Sequence, residues 1–457
     1  MTAPRHVAVI DIGKTNAKLL AVDLETGTET VVARRPNAVL AGPPYPHHDI
    51  AALWDFVLGG LRLLAGQGGV EAVSITTHGA AAVLVDAAGQ AVLPMLDYEH
   101  DGPQETAADY DALRPGFAET GSPRLPMGLN LGAQLHWQAM RFPEAFARTA
   151  WVLTYPQYWA FRLSGIAASE ATSLGCHTDL WAPREGRFST LVDRMGWRGL
   201  FPPLRQAGDV LGPLRPEVAA ATGLPAATPV LAGIHDSNAS LVPHLGRKGP
   251  LAVVSTGTWM ICMALGGVAP VLDPARDLLM NVNARSEPVP TARSMAGREF
   301  DEVTQGQIAA VSEATLAAVL RQGVMALPSL HPGTGPFPGQ RFAWRGGVEP
   351  ADAVGRTAAA GLYAALTGAE CLALIGAEGP IIVEGPFGAN AVFLRMLATA
   401  TGRPVLATGA GAGTGLGAAL LAGPLAGTRP DPVPVLPETG EDWLRYVALW
   451  RDEVARR

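Results

Sequence analysis

Hydrophobic residues in this chain gather in short runs that repeatedly end on small polar residues. The first such run places Val7, Val9 and Ile10 in a pattern suited to a buried strand and delivers Asp11 to a turn at Gly13. A second apolar run, residues 17–22, leaves that turn, so the pattern predicts a β-hairpin. A third strand is expected at 29–34, then an amphipathic helix over 49–65 with Asp49 as its N-cap and Leu53, Phe56 or Val57, Leu61 and Leu64 on one face. Residues 70–76 read as a buried strand ending in Thr77, His78 and Gly79, and 81–85 and 91–96 as two more. From 129 to 163 the pattern is helical, with Trp137, Phe142, Trp151, Tyr155, Tyr158, Trp159 and Phe161 as core anchors. Residues 164–225 read as loops and short helices.

The second half repeats the plan. A strand at 229–232 runs into Gly233, Ile234, His235 and Asp236, then small residues that open a helix. Residues 251–262 form another apolar run, a turn centred on Gly257 with Ser255, Thr256 and Thr258, and a further apolar run. This weak internal repeat argues for two related domains. Helices are expected at 308–321 and 351–375. A strand at 380–384 enters the turn 385–390 and a helix to 399, and a strand at 404–407 meets the glycine-rich run 409–417 and a last helix.

Composition narrows the function classes. At 457 residues the chain exceeds a single core, and two domains of roughly 200 residues each are expected, 1–245 and 246–457. With 48% hydrophobic and 16% charged residues it has the balance of a packed enzyme. A net charge of -7 without a basic block argues against nucleic acid and anionic membrane as partners. Cys176, Cys262 and Cys371 are too scattered for a disulfide framework or a CxxC metal site, which fits a reducing cytoplasm. The N-terminus lacks the organisation of a signal peptide, and no apolar stretch reads better as a membrane span than as part of an α/β core.

Candidate chemistry sits at the turns. Gly13, Lys14 and Thr15 imitate the end of a P-loop, but Ala8 stands where that motif needs its first glycine and a strand follows instead of a helix. What remains is a phosphate-holding hairpin tip or an ordinary turn. The loop 97–104 carries Asp97, Glu99 and Asp101 with Tyr98 and His100, and suits either a solvated turn or a polyol pocket. Asp236 suits a carboxylate base or a helix cap. The two late glycine turns suit a flat ligand or phosphate resting on N–H groups, or close helix packing. A dinucleotide fingerprint after the first strand is absent, which argues against a nicotinamide-dependent dehydrogenase.

In this order, over residues 7–423, these features resemble the FGGY family of carbohydrate kinases. The resemblance implies an α/β fold of two ribonuclease-H-like, actin-like ATPase domains flanking a catalytic cleft, with ATP and Mg2+ as cofactors and a small sugar as substrate. It implies Asp11, Gly13, Lys14, Thr15 and Asn16 as a first phosphate hairpin, with Asp11 and Asp236 at the magnesium. Thr256, Gly257 and Thr258 correspond to a second phosphate hairpin, and Gly385, Gly388, Asn390 and Gly411 to an adenosine site. Asp236 corresponds to the catalytic base. Thr77, His78, Gly79, Asp97, Glu99, His235 and Arg298 fall at sugar contacts, with Glu299 beside the last. Pro386 and Phe387 depart from the usual adenosine turn. His235, the Trp259 that follows Gly257 and Thr258, and the run GPFPG lean toward L-fuculose or L-rhamnulose, ahead of xylulose or ribulose and then other polyols. A non-catalytic sensor on the same fold is the alternative, and a homodimer is expected from enzyme base rates.

Overall fold

The computed structural model describes residues 4–267, 270–408, 413–427 and 432–457. It is an α/β protein that divides into two compact units, one of residues 1–246, 280–288 and 412–429 and one of 247–279, 289–411 and 430–457. Each unit is built on one sheet, and the two sheets share a plan.

In the first unit a seven-stranded sheet runs in the order Val210–Pro213, Pro229–Leu231, Ala72–Thr77, His6–Ile12, Asn16–Asp23, Thr28–Pro36, and Ile234–His235 also pairs with Ala72–Thr77. The expected hairpin is present: His6–Ile12 is antiparallel to Asn16–Asp23 and parallel to Ala72–Thr77. Alternation along the first strand sends Ala8, Ile10 and Ile12 to one core and Val7 and Val9 to another, so both faces are covered. Helix Ile50–Gly66 covers the first face with Leu53, Val57, Leu61 and Leu64, and Asp49 caps it by accepting from the Ala52 N–H at 2.9 Å. The other face carries Thr414–Leu420, a late helix tied to the sheet by Ser74 Oγ donating to the Ala418 carbonyl at 2.7 Å. That bond, with the Leu416 N–H donating to Glu29 at 3.1 Å, is why a segment near residue 420 belongs to the first unit.

Register sets where chemistry can sit. Ile12 pairs with Thr77 and Thr77 with His235, so the first, third and last of these parallel strands finish side by side. Asp11, His78 and Asp236 therefore lie at one carboxyl edge of the sheet, where open α/β sheets keep their ligand sites.

Two expected elements differ. Residues 91–96 make only single bridges, Val85 to Ala91 and His47 to Leu96, because Pro94 has no N–H and its carbonyl accepts from Tyr45 Oη at 2.7 Å. The pattern over 129–163 splits into helices Leu131–Arg141, Pro143–Phe146 and Tyr155–Ser164 around a strand, Trp151–Thr154, antiparallel to Ala82–Val85. Trp137, Tyr155, Tyr158 and Trp159 are buried as anchors.

The second unit has a six-stranded sheet in the order Leu278–Val282, Pro288–Ser294, Met260–Leu265, Leu251–Thr256, Ile381–Glu384, Val405–Ala407. Leu251–Thr256 is antiparallel to Met260–Leu265 and parallel to Ile381–Glu384, which repeats the opening of the first sheet. This is the twice-used ribonuclease-H-like plan. Helix Ala353–Leu374 is long and apolar enough to cross a membrane, yet 83% of its apolar window is buried in the protein, its small residues letting neighbours close around it. The helix expected at 308–321 starts later, at Glu313–Gln322. Ser312 caps it at 3.1 Å from the Thr315 N–H, while the Ala309 N–H donates to Thr357 Oγ1.

Candidate active site

In the first unit the hairpin tip is braced from below. The Gly13 N–H donates to the Asn16 carbonyl at 2.9 Å, and Asn37 Nδ2 donates to the Gly13 carbonyl at 2.8 Å. Thr15 and Asn16 bond to each other at 3.0 Å, and Asn16 Oδ1 accepts from Arg34 at 3.1 Å. Lys14 reaches sideways to ion-pair with Asp97, lies 3.4 Å from Glu99 and sits 4.8 Å from the Tyr98 ring centre. Residues expected at phosphate and at sugar are thus joined to one another. Asp97 is buried, so the solvated-turn reading of its loop does not hold there, whereas Glu99 is exposed.

Asp11 and Asp236 supply the carboxylates. Burial pushes the Asp11 carboxyl above its ordinary range; Lys18, 3.4 Å away, opposes that and the charge of Asp236 adds to it. Burial also raises Asp236, against His78 and the hydrogen bonds from Ser237, whose N–H donates at 2.6 Å. The Asp236 side chain is still 29% exposed, so it is open to a ligand. Two mutually repelling carboxylates are oxygen donors of the kind that would hold Mg2+. Among the described residues no cluster of three or more His, Cys, Asp or Glu side chains stands ready for a metal.

His235 backs Asp236. Its Nε2 lies 3.2 Å from Asp236 Oδ1 and 3.4 Å from Cys176 Sγ, and its Nδ1 lies 2.9 Å from Asn238 Nδ2. Burial lowers it to about 4, so it is neutral at neutral pH. Gly79 is needed for closeness, since a Cβ there would lie 2.8 Å from both Cys176 Sγ and His235 Nε2. Thr77 is turned inward and fully buried, its hydroxyl donating to the His78 carbonyl at 3.1 Å. Both shape the turn at the position where sugar contacts are expected. His78 bonds through Nδ1 to the Gly79 carbonyl at 2.9 Å and stands among the rings of His48, Tyr98 and Tyr155.

Sequence reading missed three groups here. His48 is buried beside His78. Cys176 packs on His235. A buried network also starts at Glu170, which accepts from Thr172 Oγ1 at 2.6 Å and from the N–H groups of Thr172 and Ser173; Thr172 Oγ1 in turn accepts from the His235 N–H at 3.1 Å. Burial raises the Glu170 carboxyl to about 7. No local pattern announces these links, since Thr172 and His235 are far apart in the chain.

The second unit holds a cavity of about 590 Å³ lined by Thr256, Gly257, Thr258, Gly297, Pro386, Phe387 and Asn390 among others. Phe387 forms part of its wall, stacked on Phe393 at 4.7 Å and edge-on to Phe300 at 5.4 Å. The departures at Pro386 and Phe387 therefore belong to the cavity. Gly257 donates to the Trp259 carbonyl at 2.9 Å, and helix Ala296–Val303 presses on this turn so closely that a Cβ at Gly297 would lie 1.7 Å from the Gly257 carbonyl oxygen. Gly385, at φ 81°, leaves a Cβ only 2.1 Å from the Thr256 carbonyl oxygen. Thr256 Oγ1 donates to the Glu384 carbonyl and accepts from the Phe387 N–H, locking the two turns together. Asn390 Oδ1 caps helix Ala391–Thr401 at 3.0 Å from the Phe393 N–H.

Other expected residues are placed differently. Gly388 packs against backbone carbonyls of Thr408 and Val383, and Gly411 lies outside the described residues. Arg298 is exposed, with its N–H donating to the Thr258 carbonyl at 3.1 Å. Glu299 is buried and fully engaged by Ser329, the N–H groups of Leu330 and His331, and Tyr363 Oη, so it fastens a loop and does not face a sugar.

Comparison with known proteins fits this geometry. Residues 6–243 match the N-terminal domain of the FGGY family of carbohydrate kinases, and 248–430 match the carbohydrate kinase FGGY C-terminal domain. An L-fuculokinase of Salmonella typhi is 27% identical over 281 residues, covering 57% of each chain. A rhamnulokinase of Enterococcus faecalis is 26% identical, covering 56% of this chain and 53% of its own. These alignments thus span little more than half the length of the curated relatives. The crystal structure of a carbohydrate kinase from Novosphingobium aromaticivorans superposes with a TM-score of 0.89 at 38% identity, over 99% of both chains. A xylulose kinase from Rhodospirillum rubrum shares the fold, with a TM-score of 0.78 at 21% identity over 99% of both. With one family model covering more than half of its residues and the other most of the remainder, the chain belongs to the FGGY family of carbohydrate kinases.

Proposed function

We propose that this chain transfers the terminal phosphoryl group of ATP to a hydroxyl of a small sugar, with Asp236 as general base. The observation that carries the reading is the Asp236 carboxylate itself: partly open, raised by burial and set at the sheet edge beside Asp11 and His78. A carboxylate raised by burial holds a proton better than a free one, which suits a base that receives a hydroxyl proton during attack. Asp11 and Asp236 would hold Mg2+, which would supply charge neutralisation on the transferring group. Asp97, with Lys14 and His78, faces the sugar, and the cavity of the second unit takes the nucleotide, its phosphates against Thr256, Gly257 and Thr258 and its base toward Phe387 and Asn390. His235, backed by Thr172 and Cys176, fixes the direction of Asp236.

A deoxyketose of the L-fuculose or L-rhamnulose type is the first-choice substrate, supported by the L-fuculokinase and rhamnulokinase among the relatives. Xylulose or ribulose comes second. Release of ADP from ATP and Mg2+, measured across five- and six-carbon ketoses and polyols, tests the reading. Sugar-dependent release with at least one of them is expected; none with any of them overturns it.

A further inference from the structure

His48 is 1% exposed, and neither of its ring nitrogens has a hydrogen-bond partner among the described residues. It is held from behind, its backbone N–H donating to the Met95 carbonyl at 3.0 Å. Asp97 Oδ1 stands 3.9 Å from Nε2, beyond hydrogen-bond reach. Its ring lies 5.3 Å from that of His78, whose Nε2 is also unpartnered, and Tyr155 closes the group at 5.1 Å from His78. Buried polar atoms are paired almost everywhere in folded proteins, so four orphans in one cluster, the Tyr155 hydroxyl being the fourth, mark a place where something else completes the bonding.

We propose that His48 and His78 form a subsite that reads hydroxyl groups of an uncharged sugar or polyol and rejects sugar acids. The inference rests on the kinase reading only in taking the ligand to be a sugar. Both imidazoles are neutral: burial, with the nearby His78 and Lys14, holds His48 at about 3, and burial lowers His78. A neutral imidazole offers one donor and one acceptor, which a hydroxyl matches with its own pair. A carboxylate only accepts, and would leave the acceptor nitrogens unsatisfied. The surrounding charge points the same way: the carboxylates Asp97, Glu99, Asp11 and Asp236 gather here, the lysines paired with the first three are Lys14 and Lys18, and Lys14 is committed to Asp97 and Glu99.

Titration calorimetry with the full chain tests this. The probes are neutral five- and six-carbon ketoses and polyols, with D-gluconate as the anion, against wild type, His48→Leu and His48→Gln. The best neutral probe is expected to bind at least about tenfold more tightly than D-gluconate, to weaken about tenfold or more in His48→Leu, and to recover most of that in His48→Gln. Sugar-dependent turnover should show the loss in KM more than in kcat. The inference is overturned if D-gluconate binds as tightly as the neutral probes, if no neutral probe binds, or if both variants bind like wild type, which would leave His48 holding a buried water. Neutral binding that depends on His48 without phosphorylation would sink the kinase reading and leave the subsite standing. Phosphorylation untouched in both variants would do the reverse.

Discussion

The hairpin of His6–Ile12 and Asn16–Asp23 and that of Leu251–Thr256 and Met260–Leu265 close in the same way, with a turn glycine donating 2.9 Å to a carbonyl, and each places a parallel strand on the same side. Around the first lie ionisable groups: Asp11 with Lys18, Lys14 with Asp97, and Asp236 backed by a neutral His235. Around the second lie close backbone contacts and rings: Gly297 on Gly257, Gly385 on Thr256, and Phe387 between Phe300 and Phe393. One backbone plan thus serves two physical tasks. The first unit gathers buried charge at its hairpin, and the second closes backbone and rings around a cavity.

Glycine substitutions break this comparison most visibly. Gly385→Ala must open a 2.1 Å approach and adopt φ 81°, so a loss of about 3 kcal/mol in denaturant unfolding and weakened ATP binding are expected. Gly13→Ala meets nothing closer than 3.4 Å at ordinary φ, and is expected to change stability by less than about 1 kcal/mol. Equal losses at the two positions would remove the contrast.

Thr172→Val comes next. It strips the hydroxyl that links Glu170 to the His235 N–H, leaving that N–H buried and unmatched and Glu170 with its bonds from the Thr172 and Ser173 N–H groups, at a cost of about 1–3 kcal/mol. Because the lost link holds the turn that carries Asp236, kcat should fall more than KM changes, and Thr172→Ser, which keeps the hydroxyl, should restore it. Stability loss without a change in kcat would make the network merely structural.

A smaller effect of opposite sign is expected at Asp236. Its carboxyl is raised in the folded chain, so its contribution to stability is present below the unfolded value and is lost as pH rises through the folded one. Asp236→Asn removes the buried charge and should unfold about 1 kcal/mol harder than wild type at pH 7, the difference vanishing in acid. A destabilised variant at pH 7 would mean that the charge is well compensated.

Much of the fold was legible because its signals are local. Both hairpins, the Asp49 cap and the long alanine-rich helix follow from alternation, capping and period. The strand Trp151–Thr154 was not separable from its helical neighbours, since a short apolar run reads alike in either state. At the site, strand ends marked Asp11, His78 and Asp236, but sequence pattern says nothing of what packs behind them. Thr77 turning inward, Glu299 fastening a loop, Lys14 pairing with Asp97, and the Glu170, Thr172 and His48 side chains all depend on contacts distant in sequence.

The division of labour between the two hairpins stands or falls on Asp236. ADP release by wild type and Asp236→Ala at pH 7, with saturating ATP, Mg2+ and the best ketose, measures it directly. A fall of about 100- to 10,000-fold in sugar-dependent turnover is the expected result; turnover within a few-fold of wild type, in a variant that folds and binds the ketose normally, would contradict the account.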